Sequence, residues 1–337
     1  MRIAVLGLGF MGSMHLKALR SVPGVELAAV YSGDRQKLTG DLSAIQGNLG
    51  GPGEQFDFSS VAKYSSIDAL LADESVDAID ICLPTDVHAP VTLDALRAGK
   101  HVLVEKPIAL DGTSARQLIL EARTQNRVLM AAHVLRFFPA YQVLRQRLTP
   151  GDLGNPRWAM FRRRCAAPAW SKWLKDAARS GGGVFDLLIH DVDMCLHLFG
   201  MPRTVSATGY EALDVGVDLI MSELRYPAAS VFVTGGWHHP KSYPFSMEYT
   251  VVADGGTLEY SSLARPPALY HSDGTEETLA LPEQDGYAAE LSYFVECCRE
   301  AKQPELCPPE ESAGAVALMR LLLESRSRNG EILECKI

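Results

Sequence analysis

Apolar and polar positions in the first 130 residues follow two alternating periods. Arg2-Ile3-Ala4-Val5-Leu6, Val25 to Tyr31, Ala78 to Leu83, His101 to Val104 and Val128 to Ala131 are short, nearly continuous apolar runs. Runs of that length, apolar on both faces, read as strands buried inside a sheet. Between them lie stretches of helical period over Met11 to Arg20, through Leu71, from Pro90 to Gly99, and over Thr113 to Thr124. Ser65-Ser66-Ile67-Asp68 resembles a capping box, Pro90 suits a first helical position, and Gly99 suits a helix stop. Strands alternating with helices of this length predict βαβ units and a parallel sheet. The Gly-rich stretch from Gly47 to Gly53 is the expected flexible loop.

From about Asn155 the pattern changes. Arg157 to Arg164, Thr204 to Glu211, Val217 to Tyr226, Ser230 to Gly236, Phe245 to Ala253 and Thr257 to Tyr260 read as strands. One main helix interrupts them, and two amphipathic helices, about Tyr287 to Ala301 and Pro309 to Ser325, end the chain. Successive strands without intervening helices predict a mostly antiparallel sheet.

The first strand runs straight into Gly7-Leu8-Gly9-Phe10-Met11-Gly12, and a helix follows. In that context the glycines have separate tasks. Gly7 allows a tight turn, Gly9 lets backbone approach a pyrophosphate, and Gly12 lets helix and strand pack closely, with the helix N-terminus facing the phosphates. This predicts a Rossmann dinucleotide-binding domain. An NAD-selective fold carries an acid at the end of its second strand, whereas this chain has Ser32-Gly33 there, followed by Asp34, Arg35 and Lys37. A hydroxyl and nearby cations suit a 2′-phosphate, so charge complementarity favours NADP over NAD. The other reading has Asp34 serving the ribose while Arg35 and Lys37 are merely solvated.

Glu105-Lys106-Pro107 follows another apolar strand. A lysine there lies where open α/β sheets bind ligands and can polarise a hydroxyl or carbonyl oxygen. Alone, the tripeptide equally fits a surface lysine after a strand. In the second half, Gly181-Gly182-Gly183 precedes a helix carrying Asp186 and His190, four residues apart on one face. His190 suits a general base, and Asp186 can orient its ring or bind substrate hydroxyls. The same spacing fits an Asp and a His paired structurally inside a core helix.

Composition narrows the function classes. Net charge is −9 with 32 dispersed basic residues, which argues against a nucleic-acid partner. Arg162-Arg163-Arg164 is the one basic run, better suited to a small anion or an exposed sheet face. Seven cysteines lack CxxC spacing, and several lie in apolar runs, so a reduced cytoplasmic setting is expected. A strand starting at Arg2 leaves no room for a signal peptide, and no apolar segment is long enough for a membrane span. His88, His133, Arg136, Trp170, Trp173, Trp237 and His238-His239 are further candidates for pocket residues. The adjacent histidines precede Pro240 and read as a strand end, projecting to opposite faces, so no metal is assigned.

Taken together, the glycine fingerprint, Pro84-Thr85-Asp86-Val87-His88, Glu105-Lys106-Pro107, and Gly181-Gly182-Gly183 with Asp186 and His190 resemble the Gfo/Idh/MocA oxidoreductase family over nearly the whole chain. The resemblance implies an α/β protein with an N-terminal Rossmann domain, here expected over 1–125. A C-terminal α+β domain over 126–337 would follow, with a large, mostly antiparallel open sheet that forms homodimer or homotetramer contacts. It implies Lys106, Asp186 and His190 as the catalytic set. Gly7, Gly9, Phe10, Met11, Gly12, Ser32, Gly33, Lys37, Pro84, Thr85, His88, Glu105 and Lys106 are the expected cofactor-binding set. Thr85 stands where the family commonly has Asn, and Ser32-Gly33 with Lys37 resembles the pattern of NADP-binding members. The expected reaction is hydride transfer between NADP, or less readily NAD, and a carbinol carbon of a sugar, cyclitol or related polyol. Alternatives are transient use of bound nicotinamide for glycosidic cleavage, a dihydrodiol-type dehydrogenase, and a non-enzymatic NADP-binding sensor.

Overall fold

The computed structural model describes residues 1–47, 51, 53–149, 151, 153–169, 171–263 and 265–336. Trp170 and part of the Gly-rich stretch from Gly47 to Gly53 therefore lie outside the described residues. The chain forms two compact units, Met1–Val134 with Gln284–Ala313, and Leu135–Glu283 with Gly314–Ile337.

The first unit begins with β1 (Arg2–Leu6), α1 (Phe10–Leu19), β2 (Glu26–Tyr31), β3 (Ala62–Tyr64), α2 (Ile67–Leu71) and β4 (Ala78–Ile81). It continues through α3 (His88–Arg97), β5 (His101–Glu105), α4 (Gly112–Thr124) and β6 (Leu129–Ala132). The six strands are all parallel, in the order β3-β2-β1-β4-β5-β6. Strand order reverses between β1 and β4, and in open α/β sheets that switch point makes the ligand crevice. Ile3, Val5, Ile79, Val102 and Val104 have no exposed surface, which is why these strands read as continuous apolar runs. Ser66 rather than Ser65 caps α2, accepting from the Ala69 N–H. The sequence division at 125/126 falls before β6, whereas the compact unit runs on to Val134, because β6 pairs with β5.

The second unit opens with α5 (Pro139–Leu148), β7 (Pro156–Cys165), α6 (Ala177–Ser180) and α7 (Gly183–Phe199). Then come β8 (Thr204–Ala212), β9 (Val217–Arg225), β10 (Ser230–Trp237), β11 (Ser246–Ala253), β12 (Gly256–Ser261), β13 (Arg265–His271) and β14 (Glu276–Thr278). The helix α8 (Gly286–Glu300) belongs to the first unit, α9 (Pro309–Ser327) follows, and β15 (Leu333–Glu334) closes the second sheet. Nine strands stand in the order β14-β13-β12-β11-β7-β10-β9-β8-β15. Every described pair is antiparallel except β7 with β10. The helix α7 packs on β7, β9 and β10, burying Phe161, Ile220 and Val233. Alternate residues such as Trp158, Met160, Met221 and Phe232 fall on the other face, where Met221 is 63% exposed.

Sequence periodicity located most of these elements within one or two residues. It missed α5, α6, β3, β13, β14 and β15. The last four are edge strands or sit next to an edge, and they are short or, like Arg265-Pro266-Pro267, carry residues foreign to central strands. Among the described residues no helix is long and apolar enough to cross a membrane.

Candidate functional site

In the first unit the glycine fingerprint turns the chain from β1 into α1. Gly7 has φ +102°, and a Cβ on it would lie 2.5 Å from the Cys82 carbonyl oxygen. A Cβ on Gly12 would lie 1.9 Å from the Gly7 carbonyl oxygen, so only glycine lets the helix start this close to its strand. At Gly9, by contrast, a Cβ would meet no atom within 4 Å. Gly9 is also the N-cap of α1, and no acidic residue occupies the first turn. A positive helix end and free space beside Gly9 suit a diphosphate, so these residues fit a dinucleotide. Phe10 and Met11 are half-buried in that first turn.

At the end of β2, Ser32 is buried and its Oγ accepts from the Asp34 N–H at 3.1 Å. The Asp34 carboxylate accepts from the Gln36 N–H at 3.0 Å, closing a local turn. Gly33 and Arg35 are exposed, and Lys37 begins a 3-10 turn, half-buried. Pro84 precedes a 3-10 turn that starts at buried Thr85. His88 is buried, with Nδ1 2.8 Å from the Pro107 carbonyl oxygen and Nε2 2.8 Å from that of Leu83. It thereby ties together the loops after β4 and β5, and burial lowers its imidazole below the ordinary value.

Lys106 follows β5 and is half-buried. The preceding Glu105 is buried and leads to a cluster that periodicity alone did not bring out. Its Oε2 accepts from the Lys106 backbone N–H at 3.1 Å, and its Oε1 lies 3.2 Å from His15 Nε2. That second contact is an ion pair off the ideal hydrogen-bond direction. His15 Nδ1 lies 2.9 Å from Asp80 Oδ2, and both side chains are completely buried. Burial alone would depress the His15 imidazole, but Asp80 and the Cys82 sulfur carry it well above its ordinary value. Burial alone would likewise raise Glu105, but His15 and the Lys106 charge hold it below the usual carboxylate range. His15, Asp80 and Cys82 also have the atoms of a metal-ligand group, within 4.8 Å of one another, though their mutual hydrogen bonds already account for that proximity. The available signals were an aspartate inside the apolar run Ala78-Ile79-Asp80-Ile81 and a histidine three residues past Gly12.

In the second unit the Gly181-Gly182-Gly183 stretch sets the start of α7. Gly182 has φ +96°, and a Cβ on Gly183 would lie 2.4 Å from the Trp237 ring. Asp218 on β9 accepts from the Val184 N–H at 2.8 Å and from Arg326 at 2.6 Å, anchoring the helix N-terminus to the sheet. From Gly183 to Leu196 every residue of α7 is buried except Asp186 and His190. The two stand one turn apart on one face of the helix, both half-buried.

The same helix carries two buried ion pairs. Arg163 donates to Asp191 at 2.7 and 3.2 Å, and Arg136 donates to Asp193 at 2.8 and 2.6 Å. Arg136 is thus buried and engaged structurally, rather than presented as a pocket residue. The basic run divides by strand alternation. Arg163 faces the core, while Arg162 and Arg164 both pair with Glu248 on the other face, so only those two fit the exposed-face expectation. Trp237 is 1% exposed and belongs to the core, His133 is buried, and Trp173 is half-buried. β10 ends at Trp237, so His238 and His239 lie beyond the strand. Their rings stand 4.0 Å apart instead of on opposite faces, and His239 stacks on Tyr243 at 3.7 Å.

Residues 1–133 match the oxidoreductase family with an NAD-binding Rossmann fold, GFO_IDH_MocA, and residues 141–259 match the GFO/IDH/MocA C-terminal domain. The chain belongs to the Gfo/Idh/MocA oxidoreductase family. It is 28% identical to a scyllo-inositol 2-dehydrogenase (NAD(+)) of Bacillus subtilis, over 90% of this chain and 87% of that one. It is 32% identical to a UDP-N-acetylglucosamine 3-dehydrogenase of Acidithiobacillus ferrooxidans, over 65% of this chain and 61% of the other. A solved levoglucosan dehydrogenase, in complex with NADH and levoglucosan, shares the fold at a TM-score of 0.85 and 17% identity, covering 100% of each chain. Family membership makes this chain an oxidoreductase with a nicotinamide-dinucleotide-binding Rossmann unit.

Proposed function

We propose that this chain is an NAD(P)-dependent dehydrogenase or reductase acting on a hydroxyl-bearing carbon of a sugar, cyclitol or related polyol. The observation that carries this reading is that Asp186 and His190 are the two half-buried, ionisable positions along the otherwise buried length of α7 between Gly183 and Leu196. A helix otherwise committed to the core keeps an ionisable pair half-buried at a cost in stability, and a reaction gives that pair a purpose.

A nicotinamide dinucleotide bound at the fingerprint supplies the hydride acceptor or donor. Gly7, Gly9 and Gly12 with the first turn of α1 would hold its diphosphate, and the loops at Ser32, Thr85 and Lys106 would line the rest. His190 takes the hydroxyl proton in oxidation and returns it in reduction. Asp186 holds the His190 ring or a neighbouring hydroxyl, and Lys106 stabilises developing alkoxide charge. The names of the inositol, UDP-sugar and levoglucosan enzymes support the polyol class.

The favoured cofactor is NADP. No carboxylate stands directly at the end of β2, the Asp34 carboxylate accepts from the Gln36 N–H, and Arg35 and Lys37 are near in sequence. The Bacillus subtilis relative is named for NAD(+), so titration with NADPH and NADH, followed by fluorescence, is the deciding measurement. Tighter NADH binding would reverse the preference. The second sheet is proposed to join two or more copies through the face carrying Trp158, Met160, Met221 and Phe232, whose apolar surface a second copy would cover. The test of the whole reading is turnover on a polyol panel with His190→Ala as control. The variant should lose about 10²–10⁴ in kcat with NADPH affinity unchanged. Wild-type turnover in that variant would defeat the assignment.

A further inference from the structure

His15, Asp80 and Glu105 form a charged chain within the first unit that the proposed chemistry does not use directly. The ring of His15 has a carboxylate on each nitrogen, Asp80 Oδ2 at 2.9 Å and Glu105 Oε1 at 3.2 Å. A carboxylate beside each nitrogen favours a hydrogen on both, and hence a positive ring. A neutral ring would turn a lone pair toward one carboxylate in a buried site. The ring therefore separates two buried carboxylates that would otherwise repel each other. Each Glu105 oxygen has its own partner, because Oε2 accepts the Lys106 backbone N–H at 3.1 Å. The backbone turn that carries Lys106 is thus fastened through Glu105 to His15 on α1, and through His15 to Asp80 on β4.

We propose that His15 is a positioning residue for Lys106, its ring keeping the Glu105 carboxylate ionised and fixed on the Lys106 turn, so that removing it lowers turnover without weakening dinucleotide binding. This rests on the reading of Lys106 as catalytic. The reason is geometric: small misplacement of a reacting group costs on the order of 10²-fold in rate. The rival role is a merely structural one, in which His15 seats α1 and thereby the glycine turn. The two roles move different quantities. Seating α1 governs dinucleotide affinity, whereas positioning Lys106 governs kcat at saturating cofactor.

The expected pH behaviour follows from the groups that face the pair. His15 is faced by Asp80 and Cys82 from β4 and the residue after it, Glu105 from β5, and the Tyr287 ring of α8 at 6.1 Å. Glu105 is faced in addition by Lys106 and His88. With His15 replaced by a neutral residue, burial dominates at Glu105 and its carboxyl rises. Activity that needs the carboxylate then fails at a higher pH than in the wild type, and the acid limb of the kcat profile moves to higher pH.

The experiment uses the full chain and four variants, His15→Gln, Asp80→Asn, Glu105→Gln and Lys106→Ala, each checked for a wild-type circular dichroism spectrum. Turnover is followed on scyllo-inositol, UDP-N-acetylglucosamine and levoglucosan, and binding by fluorescence titration with NADH and NADPH. The nitrogen NMR shifts of His15 are read without substrate. The proposal expects both ring nitrogens of His15 to stay protonated well beyond the ordinary imidazole range. It expects His15→Gln to lose about 10-fold to 100-fold in kcat with dinucleotide Kd within about threefold. The displaced acid limb should be absent from Glu105→Gln, which has no carboxyl left to titrate. A neutral His15 ring at pH 7 overturns the proposal even if no panel compound is turned over or His15→Gln does not fold. So does a His15→Gln variant that raises dinucleotide Kd while leaving kcat and the pH profile alone. If Lys106→Ala itself keeps wild-type turnover, the fault lies in the reading of Lys106, a result separable from the other two.

Discussion

In the first unit an imidazole lies between two carboxylates, whereas in the second two guanidinium groups each grip one carboxylate in a bidentate pair. Both arrangements are buried, and both sit directly behind a proposed catalytic residue. They differ in how they answer to pH. Arg163 and Arg136 keep their charge at any accessible pH, so the pairs behind α7 act as fixed braces flanking His190. The His15 ring can lose its proton, so the cluster behind Lys106 can respond. Burial pushes the Asp191 carboxyl up against the opposing pull of Arg163. That is the desolvation penalty that makes such pairs costly to break and of small net value when intact.

The largest effect that would break this contrast is expected at the braces. Arg163→Ala strands the Asp191 carboxylate in the core and should cost about 3–5 kcal/mol, read as a fall in the denaturation midpoint. The double replacement Arg163→Met with Asp191→Leu removes both charges and should recover most of that loss. If it is no more stable than the single variant, packing rather than stranded charge is responsible.

A smaller effect is expected at the glycine turn. Gly12→Ala drives a methyl to 1.9 Å from the Gly7 carbonyl oxygen, so α1 must shift. Dinucleotide Kd should rise at least tenfold, about 1.4 kcal/mol, with the second unit's stability unaffected. Unchanged NADH and NADPH titrations would show that the turn tolerates the shift.

Smaller again is the pH dependence of stability from His15. Its folded value is raised above the ordinary 6.5, so its contribution is present in full below 6.5 and is lost as pH rises through the raised value. Melting temperatures measured upward from pH 6.5 should fall more steeply in the wild type than in His15→Gln. Parallel curves would mean that the ring is not held charged by folding. The smallest change is expected for Met221→Lys. At a 63% exposed position it should alter monomer stability by less than about 0.5 kcal/mol, yet shift the oligomer toward monomer in light scattering. An unchanged mass would place the interface elsewhere.

The parallel sheet, the glycine turn and α7 were legible because each has a local signature. Apolar runs mark central strands, glycines mark forced approaches, and the four-residue spacing of Asp186 and His190 marks a helix face. The His15 cluster was not legible in this way, since its members come from α1, β4 and β5 and meet only through strand order. Arg163 hid within a basic run because strand alternation sends its neighbours to the other face. The return of Gln284–Ala313 to the first unit left no local mark either, as α8 carries an ordinary amphipathic pattern whose partner is α1.

A double-mutant cycle on kcat tests most directly the proposal that Lys106 and His190 serve a single oxidoreduction. Lys106→Ala and His190→Ala should each lower kcat by about 10²–10⁴, and the double variant should fall little below the weaker single. Two losses that multiply in full would contradict a shared step, and wild-type kcat in either single variant would contradict the claim outright.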